Sequence, residues 1–280
     1  MPTAHTPQDK YLDVGGLRLH YLDWGNPDAQ PLVLLHGFTG HAHTWDTFAA
    51  AMCARFHVLA LDQRGHGDSG WAKDGAYTAD DHAADIYAWH TQLGLGPVLL
   101  VGLSMGGRNA MAYTAQHPET VKKLVIVDIG PDINPRGAAR VSRMAAAAPE
   151  EFNVPEEAVD YLKQTLTHPS EAALRHRVAH GLKQLPNGTY TWKYDKALRD
   201  QRRQGTTPQV NLWPAVQQIN LPTLILRGAD SDIFTTETAQ RMQTCIPGSQ
   251  FVEIPRAGHS IPADAPEAFE QAMRAFIDTP

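Results

Sequence analysis

Apolar positions along the chain fall into two patterns. Short apolar runs recur at Leu32–Leu35, Val58–Leu61, Val98–Val101, Leu124–Val127, Leu224–Leu226 and Phe251–Ile254, each bounded by Gly, Pro, Asp or another polar residue. Such runs suit strands with both faces covered, as in a parallel sheet. Leu17–Leu22 instead alternates Leu17, Leu19 and Tyr21 against Arg18, His20 and Leu22, the pattern of an edge hairpin strand. Between the runs the apolar period becomes helical. Thr44 would cap a helix through Ala54, and Thr78 or Asp80 one through Leu93. Ser104 to His117 and Ala263 to Ile277 continue the alternation. Strands alternating with helices predict a doubly wound α/β fold with a mostly parallel sheet and helices on both faces.

The alternation breaks once. Residues 131–214 read as helices at Arg136–Ala148, Glu156–Leu166, Ser170–Gln184 and Asp195–Gln204, with no strand-like run and prolines between. That is too long for one crossover, because loops in such units usually run ~2–6 residues. The expected organisation is a core of residues 1–130 and 215–280 carrying an inserted helical cap, 131–214.

Composition narrows the chemistry. A chain of 280 residues, 42% hydrophobic, buries a core without staples. Its two cysteines, Cys53 and Cys245, stand far apart and give neither a thiolate metal site nor a disulfide framework. A net charge of −6 argues against nucleic acid. No stretch reaches the ~20 apolar residues of a membrane span, and the start lacks a signal-peptide pattern. The expectation is a cytoplasmic protein, monomer or homodimer, with no cofactor. The 14 histidines leave acid–base chemistry or a metal open.

The strand Val98–Val101 leads into Gly102-Leu103-Ser104-Met105-Gly106-Gly107 and then a helix. A serine on such a turn needs small neighbours, and it sits at a helix N-terminus where developing negative charge is favoured. Ser104 is therefore the candidate nucleophile. It needs a base, which His259 in Ala257-Gly258-His259 supplies after the last apolar run. Two aspartates compete to orient the imidazole. Asp232, after Leu224–Leu226, gives the chain order Ser, Asp, His and is preferred; Asp128, ending Leu124–Val127, is the alternative acid, and Asp230 comes third. The oxyanion donors would be the backbone amides of Met105 and of Phe38 in His36-Gly37-Phe38. His36 itself reads as structural.

These stretches, with Asp62-Gln63-Arg64-Gly65-His66-Gly67-Asp68-Ser69, resemble the α/β-hydrolase superfamily of esterases, haloalkane dehalogenases and C–C hydrolases. The resemblance runs from Gly15 to Ile277 and leaves only the insertion unmatched. It implies an α/β-hydrolase fold with an eight-stranded sheet, a Ser-His-Asp triad and a cap between the sixth and seventh strands. Serine at 104 disfavours a dehalogenase, which carries Asp there. Some relatives place the acid where Asp128 stands. One such group, which hydrolyses acylaminomethylene-succinates, has an Arg-Asn after the elbow similar to Arg108-Asn109. Arg64 and Asp68 would be structural.

The remaining features are weaker. His176 and His180, four apart on an expected helix, have ligand spacing but no HExxH context, so they read as a solvated face and no metal is expected. Arg136, Arg140, Arg143 and Arg108 would suit an acidic substrate if they faced the pocket. Trp192, Trp213, Trp71, Met144 and Phe38 are the candidate acyl-pocket residues. The expected activity is hydrolysis of a small-molecule carboxylic ester. A C–N or C–C hydrolase acting on a carboxylated metabolite, and a non-catalytic receptor on this scaffold, are the alternatives.

Overall fold

A computed structural model describes residues 6–166, 168–207 and 210–279. The chain opens with β1 (Gln8–Val14) and β2 (Leu17–Asp23), then alternates through β3 (Pro31–Leu35), α1 (Asp46–Met52), β4 (His57–Leu61), α2 (Ala79–Gln92), β5 (Val98–Leu103), α3 (Met105–Gln116) and β6 (Val121–Val127). An insert follows: α4 (Pro135–Ala147), β7 (Glu151–Phe152), α5 (Pro155–Thr165), α6 (Glu171–Gly181), β8 (Leu182–Gln184), β9 (Tyr190–Trp192) and α7 (Lys196–Gln204). The chain returns through α8 (Trp213–Gln218), β10 (Thr223–Gly228), α9 (Thr236–Cys245), β11 (Gln250–Ile254), α10 (Ile261–Asp264) and α11 (Pro266–Ile277).

Eight strands form one sheet in the order β1-β2-β4-β3-β5-β6-β10-β11. All neighbours are parallel except β1 with β2 and β2 with β4. The central runs are apolar throughout because each strand serves two cores. Val33, Leu35, Leu100, Leu124 and Ile126 pack on one face with Trp89 of α2 and Tyr113 of α3. Leu32, Leu34, Val101, Val125 and Val127 pack on the other with Trp45, Phe269 and Met273. At ~1.5–3 kcal/mol per fully buried large apolar side chain, these two layers supply most of the force holding the sheet.

The edge strand β1 left no apolar run, since only Val14 of it is buried. Its turn, Gly15-Gly16, has φ of 56° and 84° at its two residues, a left-handed path that glycine adopts freely in two-residue hairpins. For α2 the cap is Thr78 and not Asp80: its hydroxyl accepts from Asp81 N, and Asp81 Oδ2 accepts from Thr78 N. The expected helix from Thr44 starts as a 3-10 turn at Ala42–Trp45. The closing helix is interrupted before Pro266.

The insert is not purely helical. Ser170–Gln184 does not form one helix: α6 ends at Gly181, and β8 joins a three-stranded sheet, β7-β9-β8. Strands of two or three residues are too short to show as apolar runs. They roof a small core of Phe152, Val159, Leu162, Val178, Trp192 and Leu198.

Candidate active site

Ser104 stands between β5 and α3 with φ 54° and ψ −117°, a conformation that costs a non-glycine residue of order 1–3 kcal/mol. The surroundings hold it there. A Cβ on Gly102 would lie 2.3 Å from Gly106 O, and one on Gly106 would lie 2.3 Å from Leu35 O. The two glycines thus let helix, strand and serine turn close on one another. Met105 opens α3, so its N–H has no acceptor within the helix.

His259 lies beyond β11 and meets the serine. Ser104 Oγ donates to His259 Nε2 at 2.8 Å, and His259 Nδ1 donates to Asp128 Oδ2 at 2.7 Å. The tautomer follows from the network, since a carboxylate only accepts. Asp128 is fully buried at the end of β6, with φ of 50°, a left-handed conformation that aspartate tolerates better than most residues. Its Oδ1 accepts from Gly228 N at 2.9 Å and its Oδ2 from Ser231 Oγ at 2.5 Å. The carboxylate is locked from three sides.

The preference for Asp232 is therefore corrected. Its carboxylate makes no hydrogen bond to His259 among the described residues and takes a two-pronged bond from Arg140, Nε and Nη2 each at 2.6 Å. That guanidinium holds the Asp232 carboxyl below its ordinary range. The physical reason lies in the loop after β10. Ser231 occupies the inward position and spends its hydroxyl on Asp128, and α4 packs on the Asp232 backbone so closely that a Cβ on Gly137 would lie 2.2 Å from Asp232 O. Asp230 is exposed at the cavity edge.

The loop after β3 is held beside the serine, where a Cβ on Gly37 would lie 3.3 Å from Ser104 Cβ. His36 is its anchor. Nδ1 donates to Gly37 O at 2.8 Å, Nε2 accepts from Gln63 N at 3.1 Å, and Gln63 Nε2 donates to His36 O at 2.7 Å. Asn109 of α3 donates to Gln63 Oε1, joining the loop to the elbow helix. Burial keeps His36 neutral by lowering its pKa. Nearby His66, buried beneath the Phe38 ring, is pushed down to about 3 by burial. Arg64 forms a two-pronged ion pair with Asp85, and Asp68 pairs with Lys193 of the insert.

A cavity of about 1280 Å³ opens above Ser104, walled by the insert. Phe38, Met144, Tyr161, Leu162, Trp192 and Leu198 make its apolar side. Trp192 and Met144 both line this cavity. Trp213 does not: it starts α8, packs in the core beneath the sheet, and is covered by the Arg241 guanidinium 3.6 Å from its ring centroid. Trp71 is 39% exposed, with Lys183 over its ring. Arg108 touches the cavity but spends its donors on the Gly130, Pro131 and Val210 carbonyls, pinning both ends of the insert to α3. Arg140, also on the cavity wall, is engaged by Asp232.

Two other arginines on the cavity wall escaped notice in the sequence. Arg177 of α6 donates to Thr39 Oγ1 at 2.9 Å, and Arg202 of α7 lies 4.1 Å from the Phe38 ring centroid. Among the described residues neither forms an ion pair, and Arg202 Nε is buried without a hydrogen-bond partner. Burial holds both guanidiniums below their ordinary value. Nothing in the sequence distinguished them from the other arginines of the insert; only the packing does.

Sheet order, elbow and inserted wall together define a class, and a family model for the alpha/beta hydrolase fold matches residues 30–266. The chain belongs to the α/β-hydrolase family. Among curated proteins it is 30% identical over 266 residues to esterase Rv0045c of Mycobacterium tuberculosis, spanning 92% of this chain and 86% of that one. It is 28% identical over 268 residues to the 2-(acetamidomethylene)succinate hydrolase of Mesorhizobium japonicum, spanning 95% and 94%. A crystal structure of E-2-(acetamidomethylene)succinate hydrolase superposes with a TM-score of 0.90 at 26% identity, covering 98% of this chain and all 100% of the other. The relatives mark the chain as a hydrolase. No helix among the described residues is long and apolar enough to cross a membrane.

Proposed function

We propose that this hydrolase cleaves carboxylic esters through an acyl-enzyme on Ser104. The observation that carries the reading is the unbroken relay Ser104–His259–Asp128, with heavy-atom distances of 2.8 and 2.7 Å, at the floor of the cavity. His259 Nε2 takes the hydroxyl proton as Ser104 Oγ attacks the ester carbonyl carbon. The carbonyl oxygen gains negative charge, received by the Met105 and Phe38 amides. As the intermediate collapses, the bond to the alkoxy oxygen breaks and His259 returns the proton to that oxygen, releasing the alcohol. The histidine then deprotonates a water, which attacks the acyl carbon, and Ser104 leaves with the proton. Asp128 holds the ring in one tautomer and balances its transient positive charge. The insert, residues 131–214, acts as the cap that selects the acyl group.

Arg177 and Arg202 favour a second reading within the same chemistry. Two guanidiniums facing a cavity without a carboxylate partner suit a substrate that brings its own, because charge-assisted bonds are the strong ones. A carboxylated ester or enamide would then be the natural substrate, with the C–N bond broken in the latter case by the same steps.

Turnover of p-nitrophenyl acetate and butyrate by wild type, lost by about 10⁴-fold or more in Ser104→Ala, is the expected result. A folded protein whose turnover is negligible and unchanged by Ser104→Ala overturns the enzyme reading and leaves a ligand receptor. Comparing neutral esters with monoesters of dicarboxylic acids and with carboxylated enamides decides between the two substrate classes.

A further inference from the structure

The histidines of α6 are partly solvated, His176 exposed and His180 half-buried, yet both also reach the core. The helix lies across the start of α1, so that His176 and His180 meet His43 and Asp46 of the core. The rings of His43 and His180 stack with centroids 3.7 Å apart and an interplanar angle of 24°. The His176 ring centroid is 4.7 Å from that of His180. Asp46 Oδ2 accepts from His43 Nδ1 at 2.9 Å and lies 3.2 Å from His176 Nε2. One ligand atom each from His43, Asp46 and His180 lie within 4.8 Å of one another.

The second observation is a spare acceptor. Asp46 Oδ1 is buried and has no hydrogen-bond partner among the described residues. A buried carboxylate oxygen left without a donor is costly, and a cation satisfies it directly. Three imidazoles and one carboxylate are a donor set for zinc, nickel or copper, whereas calcium and magnesium prefer all-oxygen shells. Zinc–ligand bonds of about 2.0–2.2 Å require these side chains to close in by about 1 Å. Side-chain rotation supplies that movement, since His43, Asp46 and His180 are each only partly buried.

We propose that His43, Asp46 and His180, joined by His176, form a divalent transition-metal site between the cap and the core. His43 and Asp46 come from the core, His176 and His180 from the cap, and His43 and His176 also line the cavity. An ion bound there ties α6 to the core beside the entrance. It restrains the cap without touching Ser104. The site stands on its own geometry and does not depend on the ester-hydrolase reading.

The test is calorimetric titration of untagged protein with ZnCl₂, alongside thermal unfolding at roughly 0.1 mM Zn²⁺. One ion per chain and a raised melting temperature are expected. Asp46→Asn and His180→Ala should each weaken binding by about tenfold or more, with both together abolishing it. His259→Ala and Ser104→Ala should bind as wild type does. Absence of binding, equal binding in the Asp46 and His180 variants, or loss of binding in His259→Ala would each overturn the proposal. Should His180→Ala fold poorly, anomalous scattering from zinc-soaked wild-type crystals decides instead: a peak at His43 and Asp46 supports the site, and a peak elsewhere or none sinks it.

Discussion

At the end of β6 the Asp128 carboxylate accepts from Gly228 N, Ser231 Oγ and His259 Nδ1, while in the insert, among the described residues, Arg202 leaves a buried Nε unpaired and the Arg177 guanidinium donates only to Thr39. The Asp128 carboxylate has its partners within the core, whereas Arg202 on the wall holds a donor in reserve. Saturated hydrogen bonding fixes the reacting atoms before any substrate arrives. Under the proposed reading for carboxylated substrates, unspent donors on the wall are where a ligand would supply the partner. On the proposed function, rate and selectivity would reside in different layers of one cavity.

The sharpest way to break this contrast is at the acid. Asp128→Asn should lower kcat on p-nitrophenyl butyrate by about 10⁴-fold, because the amide presents the wrong partner to the Nδ1–H. Asp232→Asn should leave it within about threefold. The reverse ranking would mean that the saturated carboxylate is merely structural.

Acid stability tests the junction between the two layers. Burial pushes His41 and His66 down to about 3 in the folded protein, against ~6.5 unfolded. The unfolded chain therefore binds more protons between these values, so their stabilisation is intact above about pH 6.5 and is lost as pH falls toward 3. His20 and His176, raised in the folded state, oppose this and add stability on acidification. His36 and His82 are lowered by burial and add to the loss. His41 and His66 alone should lower the urea midpoint between pH 7 and pH 5 by the equivalent of roughly 4 kcal/mol, about 2 from each. A flat profile would show that these rings are not buried neutral.

Replacing the unspent donors should act on selectivity. Arg177→Met and Arg202→Met are each expected to cost about 10–100-fold in kcat/KM for monoesters of dicarboxylic acids. Neutral butyrate esters should change by less than about threefold, and equal losses on both would assign the arginines to packing. The smallest effect belongs to the Arg140–Asp232 pair, about one-third exposed on each side. Arg140→Ala should change stability by less than about 1 kcal/mol, read from thermal unfolding.

How much of this was legible in the sequence follows from where backbone or side chains decide. Gly102, Ser104 and Gly106 announce the elbow because only small residues fit there, and β5 before it is apolar on both faces. The acid was harder. β6 and β10 both run into an Asp-bearing loop, and nothing in the letters says that Ser231 points inward while Asp232 is drawn to Arg140 across the insert. The strands of the insert are too short for a period to emerge. Trp213, Arg108 and Arg177 show the same limit: which face a side chain serves in an irregular segment depends on tertiary packing that local pattern does not carry.

The insert leaves the sheet just after Asp128 and rejoins it at β10, and those two strands are neighbours: Asp128 N donates to Leu226 O at 2.8 Å and Leu124 N to Pro222 O at 3.0 Å. Its endpoints are thus fastened by the ladder itself. For a polymer loop with fixed ends, doubling the contour adds only about 0.6 kcal/mol of closure entropy. The segment can therefore be lengthened, shortened or exchanged as a cassette with little burden on the sheet, provided the residues at its two junctions keep their register.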